Sequence, residues 1–153
     1  MDIKTFGVIG AGQMGNGIAQ VAAVSGFEVI MNDIKTEFVD KGFASIKKNL
    51  KRSVDKGRMT DEEMNAVLQR IRTSVDIKDM GAVDFVVEAA TENETIKFQI
   101  FKDLDKICEP HVILATNTSS IPIGRISSHT GRPDKTIGMH FMNPVPVMKL
   151  IEI

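Results

Sequence analysis

A single cysteine, Cys108, in 153 residues leaves no partner for an internal disulfide, which suits a reducing compartment and a cytoplasmic setting. An excess of one charge is missing too: 19 Lys and Arg stand against 20 Asp and Glu, for a net charge of −1. That balance gives no electrostatic ground for nucleic acid or an anionic membrane as partner. Apolar runs are short, none near the roughly 20 residues needed to cross a bilayer, and the first residues lack the cationic-then-apolar layout of a secretory leader. Histidine is scarce, with only His111, His129 and His140, so proton chemistry near neutral pH has few candidates. What is present is ordinary globular composition, 42 % hydrophobic and 25 % charged, at the length of one domain with a real core.

Apolar, β-branched segments alternate with segments of helical period, with no repeat, low-complexity stretch or linker between them. Phe6–Gly10, Glu28–Asp33, Ala82–Ala90, His111–Asn117 and Lys135–Phe141 read as strands, and "VMKLIEI" at the end as another. Helices are predicted after the first strand (Met14, Ile18, Val21, Ala22) and over Val39, Phe43, Ile46 and Leu50 to about Asp55. Thr60 and Glu63 form a capping box, flanked by Met59 and Met64 as a hydrophobic staple, and open a short helix through Ile71. A further helix carries Ile96, Ile100, Leu104 and Cys108 as its apolar stripe and stops at Pro110, which makes Cys108 a small buried side chain. The alternation predicts a doubly wound α/β domain with a mostly parallel sheet.

Gly10-Ala11-Gly12-Gln13-Met14-Gly15 sits directly after a strand and opens a helix, the context in which G-x-G-x-x-G binds a dinucleotide. Gly10 permits the tight turn, Gly12 lets a pyrophosphate approach backbone N–H groups and the positive helix end, and Gly15 lets helix and strand pack closely. Asp33 follows 21 positions after Gly12, where a carboxylate accepts hydrogen bonds from the adenosine ribose and repels the extra phosphate of NADP. The expectation is a Rossmann-type fold with NAD as cofactor, softened by Asn32 and Lys35 beside the acid.

A nicotinamide carries hydride, so the protein must hold the substrate and move one proton. His111 and His129 suit solvated or structural roles. His140 lies at a carboxyl-terminal strand edge, where open α/β sheets place their ligands. Glu152, an acid in an otherwise apolar strand, needs a partner; paired with His140 it would fix the imidazole tautomer and steady the imidazolium. "ATNTSS" (Ala115–Ser120) offers amides and hydroxyls for an oxygen of substrate or cofactor. It equally suits turn and capping chemistry for a helix opening near Ile121-Pro122, and spacing does not separate the two.

"VIGAGQMGNGIAQ", "VVEAATENETIK", "ATNTSS" and "GMHFMNPVPVMKLIEI", in this order over the whole chain, resemble the 3-hydroxyacyl-CoA dehydrogenases, particularly the bacterial 3-hydroxybutyryl-CoA dehydrogenases. The resemblance implies oxidation of a (3S)-3-hydroxyacyl-CoA by NAD, or the reverse on acetoacetyl-CoA, within fatty acid and butanoate metabolism. It implies His140 as catalytic histidine, Glu152 as its acidic partner and Ser119 as the serine bonded to the substrate oxygen. Gly10, Gly12, Gln13, Met14, Gly15 and Asp33 fall in the cofactor loop. Glu92 and Lys97 would flank the nicotinamide-side ribose and phosphates, with Asn117 and Asn143 also on the cofactor. Ser45 and Arg52, with Lys48 and Lys56 on the same basic helix, are placed for the phosphates of coenzyme A, although such a face is more often simply solvated. Family members continue into an all-helical domain that closes the acyl-CoA site and makes a homodimer. The chain therefore reads as one domain, the cofactor-binding part without that second domain, and poorly active alone. A dinucleotide-binding module with little or no catalysis is the competing expectation.

Overall fold

The computed structural model describes residues 2–153. Its first strand, β1 (Thr5–Ile9), feeds α1 (Gln13–Val24) through the glycine turn; β2 (Glu28–Asn32) follows, then α2 (Thr36–Asp55) and α3 (Asp61–Gln69). Next come β3 (Ile71–Ser74), a 3₁₀ turn at Ile77–Ala82, β4 (Phe85–Glu88), α4 (Glu94–Ile107), β5 (Ile113–Thr116) and α5 (Ile123–Ser127). After a second 3₁₀ turn at Pro133–Lys135, β6 (Thr136–Gly138) completes the main sheet, while β7 (His140–Phe141) and β8 (Ile151–Glu152) form a separate hairpin.

The six main strands are all parallel, in the order β3-β2-β1-β4-β5-β6. This is the doubly wound Rossmann arrangement that the alternation predicted, and helices cover both faces. Successive strand residues go to opposite faces. Val8, Met31, Val87 and Ala115 share one core with α1 and α2 residues, whereas Ile9, Ile30, Val86 and Leu114 share the other with Phe101 and Leu104. The order in which strands are added reverses between β1 and β4, and the crevice at that switch point holds the candidate site.

Three predicted elements are corrected. The helix predicted through Ile71 ends at Gln69, and Ile71–Ser74 is instead β3, paired with β2 from Val29↔Ile71 to Asn32↔Ser74. The strand predicted over Lys135–Phe141 is broken. Met139 N still donates to Thr116 O at 2.8 Å, but His140 leaves the main sheet and pairs with Glu152. On α4 the predicted stripe holds in part: Leu104 and Cys108 are buried and Ile100 packs against the same core, but Ile96 is 52 % exposed at the cleft, and the buried face also carries Lys97 and Phe101.

Other local readings agree with the structure. Thr60 and Glu63 exchange both capping bonds, at 2.8 and 3.1 Å, and Met59 and Met64 join one core cluster. Cys108 is buried, its thiol against Met80 O at 3.4 Å, and burial pushes its pKa up to about 11 despite nearby Arg132. No helix of the described residues is long and apolar enough to cross a membrane, and no cluster of His, Cys, Asp and Glu among them suits a metal ion.

Candidate active site at the switch point

A cleft of about 1120 Å³ opens at the carboxyl ends of the central strands, lined by Gly10, Gly12, Gln13, Asn32, Asp33 and Ser45 among others. Gly10 has φ +100°, and a Cβ there would lie 2.5 Å from Ala89 O, so the turn requires glycine twice over. A Cβ on Gly15 would come within 1.9 Å of Gly10 O, which is the close helix–strand approach expected of the third glycine. Gly12 differs, because a Cβ there would meet nothing within 4 Å and would project into open space. Gly12 also caps α1 without a side-chain bond, and the first turn contains no acid, so its N–H groups face the cleft unpaired. This is a cradle suited to a pyrophosphate.

Asp33 closes the turn from the side. Its Oδ2 accepts the Ala11 N–H at 2.8 Å and its Oδ1 that of Ile34 at 2.7 Å, leaving lone pairs toward the cleft. Of the two neighbours expected to soften cofactor choice, one turns into the sheet and the other reaches a ring that lines the cleft. Asn32 is buried and donates to Ser74, and the Lys35 ammonium lies 5.5 Å over the Phe38 ring. Met14 packs against the core, so only its backbone reaches the helix terminus.

Beyond the cleft, His140 and Glu152 are cross-strand partners of β7 and β8, and their Nδ1 and Oε2 atoms lie 3.0 Å apart. Glu152 is not the buried acid its apolar surroundings suggested: its side chain is 62 % exposed, against 32 % for His140. The hairpin is fastened at three places. Phe141 N donates to Asn117 Oδ1 at 2.8 Å, Gln13 Nε2 donates to Asn143 Oδ1 at 3.2 Å, and Val145 packs so closely on Gly17 that a Cβ there would lie 2.9 Å away. Asn117 is thus engaged with the His140 strand through its carbonyl, a contact not expected from sequence. Ser119 is exposed, and its hydroxyl has no partner among the described residues.

Glu92 accepts hydrogen bonds from Ser120 at 2.7 Å and Thr118 at 2.8 Å. Partial desolvation alone would raise its pKa, but those two hydroxyls, with the charges of Lys97 and His140, bring it below the ordinary carboxylate value. Lys97 is close enough for its charge to act on Glu92, and its ammonium also meets a second acid. It is 1 % exposed, hydrogen-bonded to the fully buried Glu88, and 3.4 Å from Thr116 Oγ1. Sequence periodicity had no signal for this, because a lysine on a helix reads as solvated. On α2, Ser45 lines the cleft with its hydroxyl bonded back to Lys41 O at 3.1 Å, whereas Arg52 is exposed two turns further on and outside the lining. The cleft does not bring these two together.

Residues 5–153 match the family model described as 3-hydroxyacyl-CoA dehydrogenase, NAD binding domain. The chain belongs to the 3-hydroxyacyl-CoA dehydrogenase family. It is 51 % identical over 153 residues to a probable 3-hydroxybutyryl-CoA dehydrogenase of Bacillus subtilis, covering all of this chain and 53 % of the relative. It is 54 % identical over 148 residues to a probable 3-hydroxybutyryl-CoA dehydrogenase of Deinococcus radiodurans, covering 97 % and 53 %. The crystal structure of (S)-3-hydroxybutyryl-CoA dehydrogenase from Ralstonia eutropha superposes with a TM-score of 0.96 at 47 % identity, covering 98 % of this chain and 53 % of that one. The chain therefore spans about half the length of these dehydrogenases, and what it supplies is their NAD-binding domain.

Proposed function

We propose that this chain supplies the cofactor-binding and proton-transferring half of an enzyme that interconverts (3S)-3-hydroxyacyl-CoA and 3-ketoacyl-CoA. The substrates would be 3-hydroxybutyryl-CoA and acetoacetyl-CoA, the chemistry named for its relatives. The observation that carries this reading is the 3.0 Å pairing of His140 with Glu152 beside an NAD-binding cleft.

NAD, when bound, supplies the hydride acceptor for C3 of the substrate. Gly12 and the α1 terminus hold its pyrophosphate, Asp33 its adenosine ribose, and Glu92 and Asn143 its nicotinamide side. With Nδ1–H donated to Glu152, the imidazole carries its free lone pair on Nε2, which accepts the proton of the 3-hydroxyl during oxidation. Glu152 then stabilises the imidazolium, and in reduction His140 returns the proton to the 3-keto oxygen. Ser119, with its unpartnered hydroxyl, donates to the same oxygen and holds it against Nε2. Coenzyme A would lie along α2, anchored by Ser45 and more loosely by Arg52.

In water, an ion pair as exposed as His140–Glu152 contributes little, so the chemistry needs a cover over the dyad. Val147, Leu150 and Ile153 are 71 %, 58 % and 81 % exposed around it, a surface suited to the half of the enzyme that the longer relatives possess. The same surface favours a second reading of the chain by itself: an NAD-binding module with little turnover. Joining the chain to the carboxyl-terminal half of the Bacillus subtilis relative separates the two. The joined protein should oxidise NADH with acetoacetyl-CoA at least about a hundredfold faster than the chain alone. His140→Ala should lower its kcat by roughly two to four orders of magnitude. Turnover by the joined protein that is indifferent to His140 would refute the proposal.

A further inference from the structure

The ends of β2 and β3 carry two polar side chains that no step of the proposed chemistry uses. Asn32 and Ser74 are the last residues of their strands, partners in the parallel ladder, and both buried. Buried amides and hydroxyls cost stability unless they are bonded, and an apolar pair would fill the same space without that requirement. What the polar pair adds is a set of directed bonds.

Asn32 Nδ2 donates to the Ser74 carbonyl at 3.3 Å and lies 3.4 Å from its hydroxyl. The same carbonyl accepts the Asp33 N–H at 3.2 Å, and the Asn32 carbonyl accepts the Gly10 N–H at 2.8 Å. On its other side, Ser74 Oγ accepts the Asp76 N–H at 3.1 Å and donates to Asp79 Oδ2 at 2.5 Å. One hydroxyl thus ties down the bend that leads from β3 into the 3₁₀ turn. Val75, Asp76 and Ile77 of that bend line the cleft, as do Asp33 and Ile34 beyond the adjoining end of β2, whereas Ser74 does not. Ile34 and Val75 are exposed apolar side chains there, a surface suited to a flat purine.

We propose that Ser74 is a positioning residue for the base of the cofactor. Its hydroxyl sets residues 75–77 against Asp33 and Ile34, and so fixes the width of the slot that takes adenine. This rests on the reading above that Asp33 holds the adenosine ribose, which puts the base at this end of the cleft. The Asp33 carboxylate is itself fixed by the Ala11 and Ile34 N–H groups, neither of them bonded to Ser74. Base and ribose contacts should therefore respond separately to a change at Ser74.

The test measures dissociation constants of NAD, NADP and etheno-NAD, whose adenine carries an extra fused ring, for this chain and two variants. Ser74→Ala deletes the hydroxyl. Ser74→Cys keeps its bulk as a weakly bonding thiol and serves if the smaller side chain does not fold. The parent should prefer NAD to both analogues. Each variant should narrow the preference for NAD over etheno-NAD by about fivefold, the net worth of one hydrogen bond, and keep that for NAD over NADP within about twofold. Equal weakening of all three ligands would make Ser74 merely structural, and unchanged preferences would make it idle; either overturns the proposal. Narrowing of both preferences alike would overturn it too, since the ribose contact would then depend on Ser74 as much as the base does. A parent that takes etheno-NAD as readily as NAD would move the base out of this slot and refute the proposal with the ribose reading intact. A parent indifferent between NAD and NADP would instead remove that reading itself.

Discussion

His140 and Glu152 face each other as partners of a two-residue antiparallel ladder, with Nδ1 and Oε2 3.0 Å apart, although twelve positions separate them in the chain. The ladder fixes which imidazole nitrogen meets the carboxylate, and so which is left free of it. Glu152→Gln keeps the shape and an acceptor oxygen but removes the charge that steadies an imidazolium. In the joined protein it should lower kcat by about tenfold to a hundredfold while leaving the NADH dissociation constant within about twofold. Steady-state kinetics beside a fluorescence titration of NADH decide it, and equal loss in both would move Glu152 from chemistry to folding.

Asp33 receives the Ala11 N–H and lines the cleft, where the proposed function sets its charge against the ribose. Asp33→Asn retains an acceptor for Ala11 and removes the charge. The preference for NADH over NADPH should narrow by about tenfold, as expected when a carboxylate no longer repels a phosphate nearby. An unchanged ratio of the two dissociation constants would mean that the ribose contact lies elsewhere.

Gly12 and Gly15 should respond in opposite ways to the same added methyl group. Gly12→Ala meets nothing in the protein, so stability should change by less than about 1 kcal/mol while NADH binding weakens by about tenfold or more. Gly15→Ala drives a Cβ to within 1.9 Å of Gly10 O and should cost about 2 kcal/mol or more. Urea denaturation and NADH titration of both variants check the contrast.

Much of the cofactor half was legible in the sequence because its signals are local. A strand, three glycines at set spacing, a helix and an acid all fall within Phe6–Asp33. The dyad was legible as two unusual residues in one apolar segment. Strand β3 was not: "IRTS" follows α3 with no glycine or proline between them, and only its pairing with β2 makes it a strand. Nor was the burial of Lys97, which depends on Glu88 and Thr116 arriving from two neighbouring strands. The face of α4 was misread at one position for the same reason. Ile96 looks toward the cleft instead of the core, and the core face includes a lysine.

Acid should loosen the start of the sheet. Asp84 accepts the backbone N–H groups of Lys4 and Thr5, both at 2.9 Å, and these bonds hold its pKa below the ordinary 3.8. A carboxyl depressed in the folded state contributes stability that is fully present above 3.8 and is lost as pH falls through the lower folded value. Asp84→Asn should therefore be less stable than the parent at pH 7, with the difference closing below about pH 4. Urea midpoints at several pH values measure this; a gap that persists in acid would assign the difference to something other than charge.

The central claim is that the His140–Glu152 pair and the glycine-loop cleft serve one bound nucleotide. Its most direct test is the NMR signal of the His140 ring in this chain, followed as NAD and then ADP-ribose are added. Both ligands should move the backbone amides of Gly12 and Asp33, and only NAD, which carries the nicotinamide, should move the His140 ring. A His140 signal indifferent to saturating NAD, while the glycine-loop amides respond, would contradict the account.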